Sequence, residues 1–208
     1  MPIWFLLIIK NLVSCKHIKI MDIVNIDWLE KNLNNDGVII LDCSWHLPNT
    51  NRSGEKDFLS ERIPGAIFFN IDDISDPKSP YPHMIPNEEE FSLKVGNLGI
   101  SNDHYIITYD TLGVFSSARV YWMFKQYGHK KISILNGGLK YWKLKNKKLD
   151  TSSPTKRERT SYQAQLDRSK IKKFEDIKIN IEKKKFKLID ARPSGRFNGI
   201  DPEPRVEI

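Results

Sequence analysis

The stretch HYIITYDTLGVFSSARVYWMFKQYGH, residues 104–129, sets the fold class of this chain. It opens with an apolar run that ends at Asp110, the pattern of a strand buried on both faces of a parallel sheet. A loop follows, and Val120 and Phe124 then fall on one face of a helix. Gly128 stands where that helix would end. Strand, loop and helix in this order predict one unit of an α/β domain.

Strand and helix signals alternate in the same way on both sides of this stretch. Three further apolar runs predict strands, and three amphipathic runs predict helices. Asn25 and Asn87 stand where they would cap two of these helices. The strands are VIILD (38–42), AIFF (66–69) and KISIL (131–135), and the helices are IDWLEKNL (26–33), NEEEFSLKV (87–95) and LKYWKLK (139–145). The fold class predicted is α/β, with a mostly parallel central sheet flanked by helices.

Part of this pattern returns near the end of the chain. Residues 172–197 repeat the order of residues 24–46: amphipathic helix, short loop, apolar strand and terminal aspartate, so that Asp190 corresponds to Asp42. This predicts an internal duplication whose second copy is truncated after its first helix and strand. We expect a leader or misplaced start over 1–20, a first domain over 21–149, a polar linker over 150–168, and the start of a second domain over 169–208.

The composition narrows the function classes. The net charge is +7, but lysines alternate with glutamates and no nucleic-acid-binding motif accompanies them, so a small anionic substrate fits better than nucleic acid. Two cysteines, Cys15 and Cys43, make no disulfide framework. The histidines show no metal-ligand spacing, so neither a metal nor a cofactor is predicted.

The first 20 residues allow two interpretations. Their apolar run is about eight residues long, far short of the roughly 20 that a membrane-spanning helix needs. We favour a start codon placed upstream of Met21, and a short amphipathic anchor is the alternative. No membrane partner is therefore expected, and a reducing compartment is the default.

The loop after Asp110 lies at the carboxyl edge of the predicted sheet, where helix N-termini and loop amides favour an anion. A cysteine in this position would be a stabilised thiolate fit for sulfur chemistry. Asp110 instead can accept hydrogen bonds from the loop but cannot carry a persulfide. We interpret it as a structural residue that pins the loop.

Eight motifs in order give the chain a resemblance to a known family. They are LDCSWHLP (41–48), RIPGAIFF (62–69), SDPKSPYPHMIP (75–86), GISNDHYIITYD (99–110), ARVYWMF (118–124), SILNGGLKYW (133–142), LDRS (166–169) and IDARPSGRFNGIDPEPR (189–205). Together they resemble the N-terminal half and domain junction of the two-domain sulfurtransferases of the rhodanese superfamily, on the 3-mercaptopyruvate side. The likeness covers nearly everything from Met21 onward.

The resemblance implies roles for particular residues. In the family the first domain is catalytically silent, typically with aspartate where the second has its cysteine, and Asp110 matches that pattern. Arg196 and Arg205 match the two arginines that bind the sulfur donor, and the second of them favours 3-mercaptopyruvate over thiosulfate. A guanidinium fork suits a carboxylate because it binds both oxygens at once. A donor anion and a cyanide or thiol acceptor are the implied partners.

Two departures from the family pattern stand out. Arg62 occupies a position before I-P-G-A that is often histidine, so we expect at most a donor contact there. The loop of the type C-G-S-G-V-T that bears the nucleophile is missing from these 208 residues. Cys43 lies at the sheet edge without a glycine-rich loop, and we predict a buried, inert thiol. The sequence therefore supplies no catalytic residue.

Two function hypotheses remain open at this point. In the first, the chain is part of a sulfurtransferase that moves sulfane sulfur through a cysteine persulfide, and it is inactive alone. In the second, it is a non-catalytic rhodanese-like interaction module. The expected location is the cytoplasm, or the mitochondrion in a eukaryote.

Overall fold

The computed structural model describes residues 22–202, which form two compact units. The first unit ends at Leu166 and the second begins at Asp167. The predicted leader, Cys15 and Arg205 lie outside the described residues.

The first unit is built on one parallel sheet of five strands in the order β1-β5-β4-β2-β3. Every strand pair in it is parallel, which confirms the predicted fold class. The four predicted strands are present, and a short edge strand, β1, adds to them. The bounds are β1 Ile23–Val24, β2 Val38–Asp42, β3 Ile67–Phe68, β4 Tyr105–Tyr109 and β5 Ile132–Leu135.

Five helices connect these strands, and two of them have the predicted caps. The side chain of Asn25 accepts a hydrogen bond from the amide of Trp28 at 2.8 Å, and that of Asn87 accepts one from Glu90 at 2.9 Å. These caps satisfy amides that have no partner inside the helix. The bounds are α1 Ile26–Asn32, α2 Gly54–Ser60, α3 Glu88–Asn97, α4 Ser116–Gln126 and α5 Gly138–Leu144.

Two hydrophobic clusters fill the first unit, one on each face of the sheet. Alternate residues of β2 divide between them: Ile39 and Leu41 belong to one cluster, Val38 and Ile40 to the other. All of β2 and β4 is buried, as expected of central strands covered by helices on both faces. The strands that end at the functional edge of the sheet are therefore anchored in the buried core.

Residues 150–166, most of the segment 150–168 that was predicted as a polar linker, are packed within the first unit. Tyr162 is buried in the cluster that contains Phe91. The amide of Thr160 donates to the carbonyl of Gly96 at 3.0 Å, and the amide of Gln165 donates to that of Tyr127 at 3.1 Å. We call residues 150–166 the strap. Although its composition is polar, the strap is held by the buried side chain of Tyr162 and by backbone hydrogen bonds.

In its described residues the second unit has two α-helices, α6 (Phe174–Lys183) and α7 (Ser194–Phe197), after a short 3-10 helix at Arg168–Lys170. The strand predicted before Asp190 does not form within the described residues, so that prediction is wrong. A strand needs a neighbour to bond its backbone, and the part of this unit up to Pro202 offers none. Leu188 and Ile189 accordingly remain 64% and 81% exposed.

Candidate functional site

Three strands of the first unit bring their carboxyl ends to one edge of the sheet. Asp42 ends β2 and is in register with Tyr109 of β4, so Asp110 follows directly beside it. The turn after β5, at Asn136 and Gly137, lies at the same edge. This is the edge at which parallel α/β domains place their ligands.

Asp110 receives five hydrogen bonds from the loop that follows it. Its Oδ1 accepts from the amides of Leu112 and Gly113, both at 2.9 Å. Its Oδ2 accepts from the amides of Phe115 at 2.7 Å and Ser117 at 2.9 Å, and from the Ser117 hydroxyl at 2.6 Å. The residue is 1% exposed. The carboxylate thus fills a ring of donors of the kind that holds an anion.

This geometry agrees with the interpretation of Asp110 as a residue that pins the loop. A carboxylate inside the donor ring leaves no room for a second anion, and it is not a sulfur nucleophile. The pinned loop also presents three large apolar side chains to solvent. They are Leu112, Val114 and Phe115, which are 48%, 54% and 48% exposed.

A second buried carboxylate, Asp42, lies next to this loop. Its Oδ1 accepts from the amide of Ser44 at 2.9 Å, and the Ser44 hydroxyl accepts from the amide of Thr111 at 3.1 Å. Burial raises the pKa of Asp42 to about 6, although hydrogen bonding to Ser44 and Tyr109 opposes the rise. Asp42 therefore titrates near neutral pH beside the Asp110 loop.

Cys43 has the properties of a buried structural thiol, as predicted. It is fully buried, and its Sγ donates to the carbonyl of Leu41 at 3.4 Å. Burial, together with the charges of Asp42 and Asp110, raises the pKa of the thiol well above its ordinary value. A protonated and inaccessible sulfur cannot act as a nucleophile.

Arg62 has structural partners in the first unit. Its guanidinium is 3.0 Å from Oδ2 of Asp150 and donates to the carbonyls of Ser152 at 2.5 Å and Phe58 at 3.3 Å. The side chain is almost entirely buried. These contacts fix the start of the strap, and a donor contact by Arg62 stays a prediction.

Arg196 belongs to the second unit, in α7, where it is half-buried. It lies close enough to Asp190 to help lower the pKa of that carboxyl, after the larger effect of hydrogen bonds from Arg192. Arg192 binds Asp190 through both Nε and Nη2, at 2.9 and 2.7 Å from Oδ2. The donor-binding role of Arg196 and Arg205 stays a prediction.

Sequence reasoning missed one charged cluster near the strand ends. Asp57, on α2, has His46 Nε2 at 2.7 Å and Arg52 Nη2 at 2.6 Å from the same oxygen. The cluster was missed because α2 was not predicted: only Phe58 of its seven residues is buried, so its apolar pattern is weak. Ser53 before it, whose hydroxyl accepts from the amide of Lys56, was the available signal.

The described residues, 22–202, offer neither a metal-binding cluster nor a membrane-spanning helix. They contain no group of three or more histidine, cysteine, aspartate or glutamate side chains arranged to hold a metal ion. Among the same residues, no helix is both long enough and apolar enough to cross a membrane.

The sequence of this chain is similar to those of known proteins. Residues 25–145 match the model of the rhodanese-like domain. Thiosulfate sulfurtransferase from Cricetulus griseus is 40% identical over 190 residues, and 3-mercaptopyruvate sulfurtransferase from Homo sapiens is 43% identical over 173. The matches cover 88% and 81% of this chain, but 63% and 57% of those proteins. The chain thus spans about three fifths of the length of these relatives.

Solved structures show the same likeness. The Tum1 protein from Saccharomyces cerevisiae is 34% identical with a TM-score of 0.82, over 90% of this chain and 66% of that one. SseA from Escherichia coli, a 3-mercaptopyruvate sulfurtransferase by its description, is 32% identical with a TM-score of 0.81, over 88% and 70%. The chain with its Asp110 loop belongs to the rhodanese family of sulfurtransferases.

Proposed function

We propose that this chain is the N-terminal part of a sulfurtransferase of the 3-mercaptopyruvate or thiosulfate type. The complete protein would transfer a sulfur atom from a small anionic donor to a cysteine as a persulfide, with pyruvate leaving from 3-mercaptopyruvate or sulfite from thiosulfate, and pass the outer sulfur to cyanide or a thiol. The observation that carries the proposal is the Asp110 loop, which has the ring of donors that this chemistry uses but a carboxylate in place of the nucleophile.

In this proposal the two units contribute different parts. The first unit is the silent rhodanese domain. The second begins the catalytic domain and supplies Arg196 and Arg205 to grip the donor carboxylate or oxyanion. Turnover needs a cysteine beyond Cys43, since a thiol that is buried and protonated cannot form a persulfide. We propose the cytoplasm as its location, with the mitochondrion as the alternative in a eukaryote.

The activity of a fusion protein tests this proposal. The full chain is fused to a segment of the human 3-mercaptopyruvate sulfurtransferase that begins after the region matching residues 169–208. Thiocyanate formation is then measured with 3-mercaptopyruvate or thiosulfate and cyanide. We expect no turnover by the chain alone and turnover by the fusion. Arg196→Ala and Arg205→Ala in the fusion should raise KM for the donor, Arg205→Ala more for 3-mercaptopyruvate than for thiosulfate.

The second candidate is a non-catalytic interaction module, favoured by the three exposed apolar side chains of the Asp110 loop. It predicts a folded fusion without sulfur transfer. Circular dichroism of the fusion shows whether it is folded, so an inactive but folded fusion would reject the enzyme proposal in favour of this one.

A further inference from the structure

The strap packs against a buried histidine of the first unit. His129, which follows α4, is 2% exposed, and Tyr162 of the strap is 4% exposed beside it. The Tyr162 hydroxyl lies 3.2 Å from Nδ1 of His129, and the planes of the two rings differ by 17°. Phe124 of α4 makes an edge contact with the same imidazole. The buried part of the strap therefore rests on a group that can change its charge.

The hydrogen bonds of His129 define its tautomer. Its Nε2 lies 3.1 Å from the carbonyl oxygen of His104. A carbonyl oxygen only accepts, so Nε2 carries the proton, and Nδ1 of the neutral ring is an acceptor. The Tyr162 hydroxyl therefore donates to Nδ1. Both ring nitrogens are satisfied when the imidazole is neutral and the strap is in place.

An imidazolium at this position would have no charge to compensate it. Protonation turns Nδ1 into a donor, so the hydroxyl proton of Tyr162 would lose its acceptor. The charged groups that act on His129 are His104 and Lys131, and both are basic. From α4 and the strap, the titratable neighbours are Tyr127 and Tyr162, which are phenols rather than carboxylates. Burial lowers the pKa of His129, although hydrogen bonds to the backbone of His104 and Lys131 oppose the change.

We propose that His129 makes the attachment of the strap dependent on pH. In the closed state a neutral imidazole holds Tyr162 in the core. In the open state the part of the strap around Tyr162 leaves the core, and solvent reaches the imidazolium. The strap leads directly into the second unit, which begins at Asp167, so opening changes the segment that connects the two units. This inference concerns contacts within the first unit and does not depend on the proposed sulfur transfer.

The direction of the effect follows from the two pKa values of His129. In the open state the pKa returns to its ordinary value of 6.5, and in the closed state it is lower. The stability that this group gives the closed state is therefore complete above about pH 6.5 and is lost as the pH falls. The raised pKa of Asp42 acts in the opposite direction. Between about pH 7.5 and about pH 5.5 the open fraction should increase up to about tenfold, the limit for an imidazole that stays neutral when closed.

Two NMR measurements on the full chain test the proposal. The imidazole signals of His129 report its titration. The exchange of the amides of Thr160, Gln163 and Gln165, corrected for the intrinsic effect of pH on exchange, reports opening, since these amides bond the strap to the rest of the first unit. We expect His129 to titrate below pH 6.5 and the protection of these amides to decrease by up to about tenfold between about pH 7.5 and about pH 5.5. The strap amides should also be less protected than those of β4, because the strap opens while the sheet stays folded.

One variant and one matched control identify the titrating group. His129→Gln removes the ionisable ring, so the decrease in strap protection at acid pH should disappear, whatever the protection at neutral pH. His104→Gln is the control. Burial also lowers the pKa of His104, but its Nδ1 accepts from the amide of Ser101 at 2.9 Å and not from the strap. The decrease should remain in this variant.

Three results would overturn the proposal. The first is strap protection that does not change with pH while His129 titrates at pH 6.5 or above. The second is equal protection of the strap and β4 amides, which means that the strap opens only when the whole unit unfolds. The third is a decrease that is lost in His104→Gln and kept in His129→Gln. If His129→Gln does not fold, the first two results, measured on the wild type, still decide. Thiocyanate formation by the fusion is a separate measurement, so the proposed function is tested independently.

Discussion

Arg62 and Asp150, 88 residues apart, are joined twice. Their backbones form an antiparallel bridge, with the amide of Arg62 donating to the carbonyl of Asp150 at 3.0 Å and the reverse bond at 2.9 Å. Their side chains form an ion pair at 3.0 Å. The pair links the chain just after α2 to the first residue of the strap.

Arg62→Ala should therefore destabilise the first unit. It removes a buried guanidinium and leaves the Ser152 and Phe58 carbonyls without its donors, at a cost of about 2–4 kcal/mol. Urea unfolding measures the change. Leu59→Ala, near the end of α2, is the control. Its side chain is 50% exposed, so the variant should lower the free energy of unfolding far less. Equal effects of the two variants would show that Arg62 is not a structural clip.

Asp110→Ala should loosen the loop that the carboxylate pins. Four amides and one hydroxyl lose their acceptor, which should lower the free energy of unfolding by about 2–4 kcal/mol. Hydrogen exchange at the amides of Leu112 and Gly113 should accelerate most. Asp110→Asn, which keeps one carbonyl oxygen, should have a smaller effect. Unchanged exchange at these amides in the alanine variant would contradict the pinned-loop interpretation.

The raised pKa of Asp42 predicts a pH-dependent stability. The folded pKa of about 6 lies above the unfolded value of 3.8, so the folded state holds the proton more tightly. Stability contributed by this group is complete below about pH 4 and decreases as pH rises through about 6. The loss is about 3 kcal/mol at most, since one pKa unit corresponds to 1.36 kcal/mol.

Asp42→Asn isolates that effect because other titrating groups cancel in the comparison. We expect the free energy of unfolding of the wild type, relative to this variant, to fall between pH 4 and pH 7. Urea unfolding at several pH values provides the measurement. A relative stability that stays constant over this range would place the pKa of Asp42 elsewhere.

Tyr162→Ala should loosen the packing of the strap against the rest of the first unit. The tyrosine ring stacks on His129 and makes an edge contact with Phe91, and it is 4% exposed. Loss of a buried aromatic side chain typically costs about 3–5 kcal/mol. Tyr81→Ala, at a position 53% exposed, is the control. Limited proteolysis within residues 153–160 should become faster only in the Tyr162 variant.

Much of the first unit could be predicted from the sequence, because its central strands and capped helices carry strong local signals. VIILD and YIITY are continuous apolar runs, and Asn25 and Asn87 occupy the cap positions that they were assigned. The strand β1 was missed because two residues are too few to show a period.

The other differences arise from contacts that are distant in sequence. The strap has a polar composition, and only its contacts with α3 and Tyr127 reveal that it is packed. The predicted strand at Leu188 and Ile189 has apolar residues but no neighbouring strand in the described part of the second unit. The donor ring around Asp110 was expected from the loop's place at the sheet edge, whereas the charged cluster around Asp57 depends on the unpredicted α2.

The carboxylate in the donor ring has a consequence for oxidative conditions. A cysteine in such a loop would be a stabilised thiolate, which peroxide converts to sulfenic acid and beyond. Asp110 holds the same kind of loop with atoms that peroxide does not attack, and the cysteine of the described residues, Cys43, is fully buried. The described part of the first unit therefore offers peroxide no accessible thiol, either in the Asp110 loop or in the core.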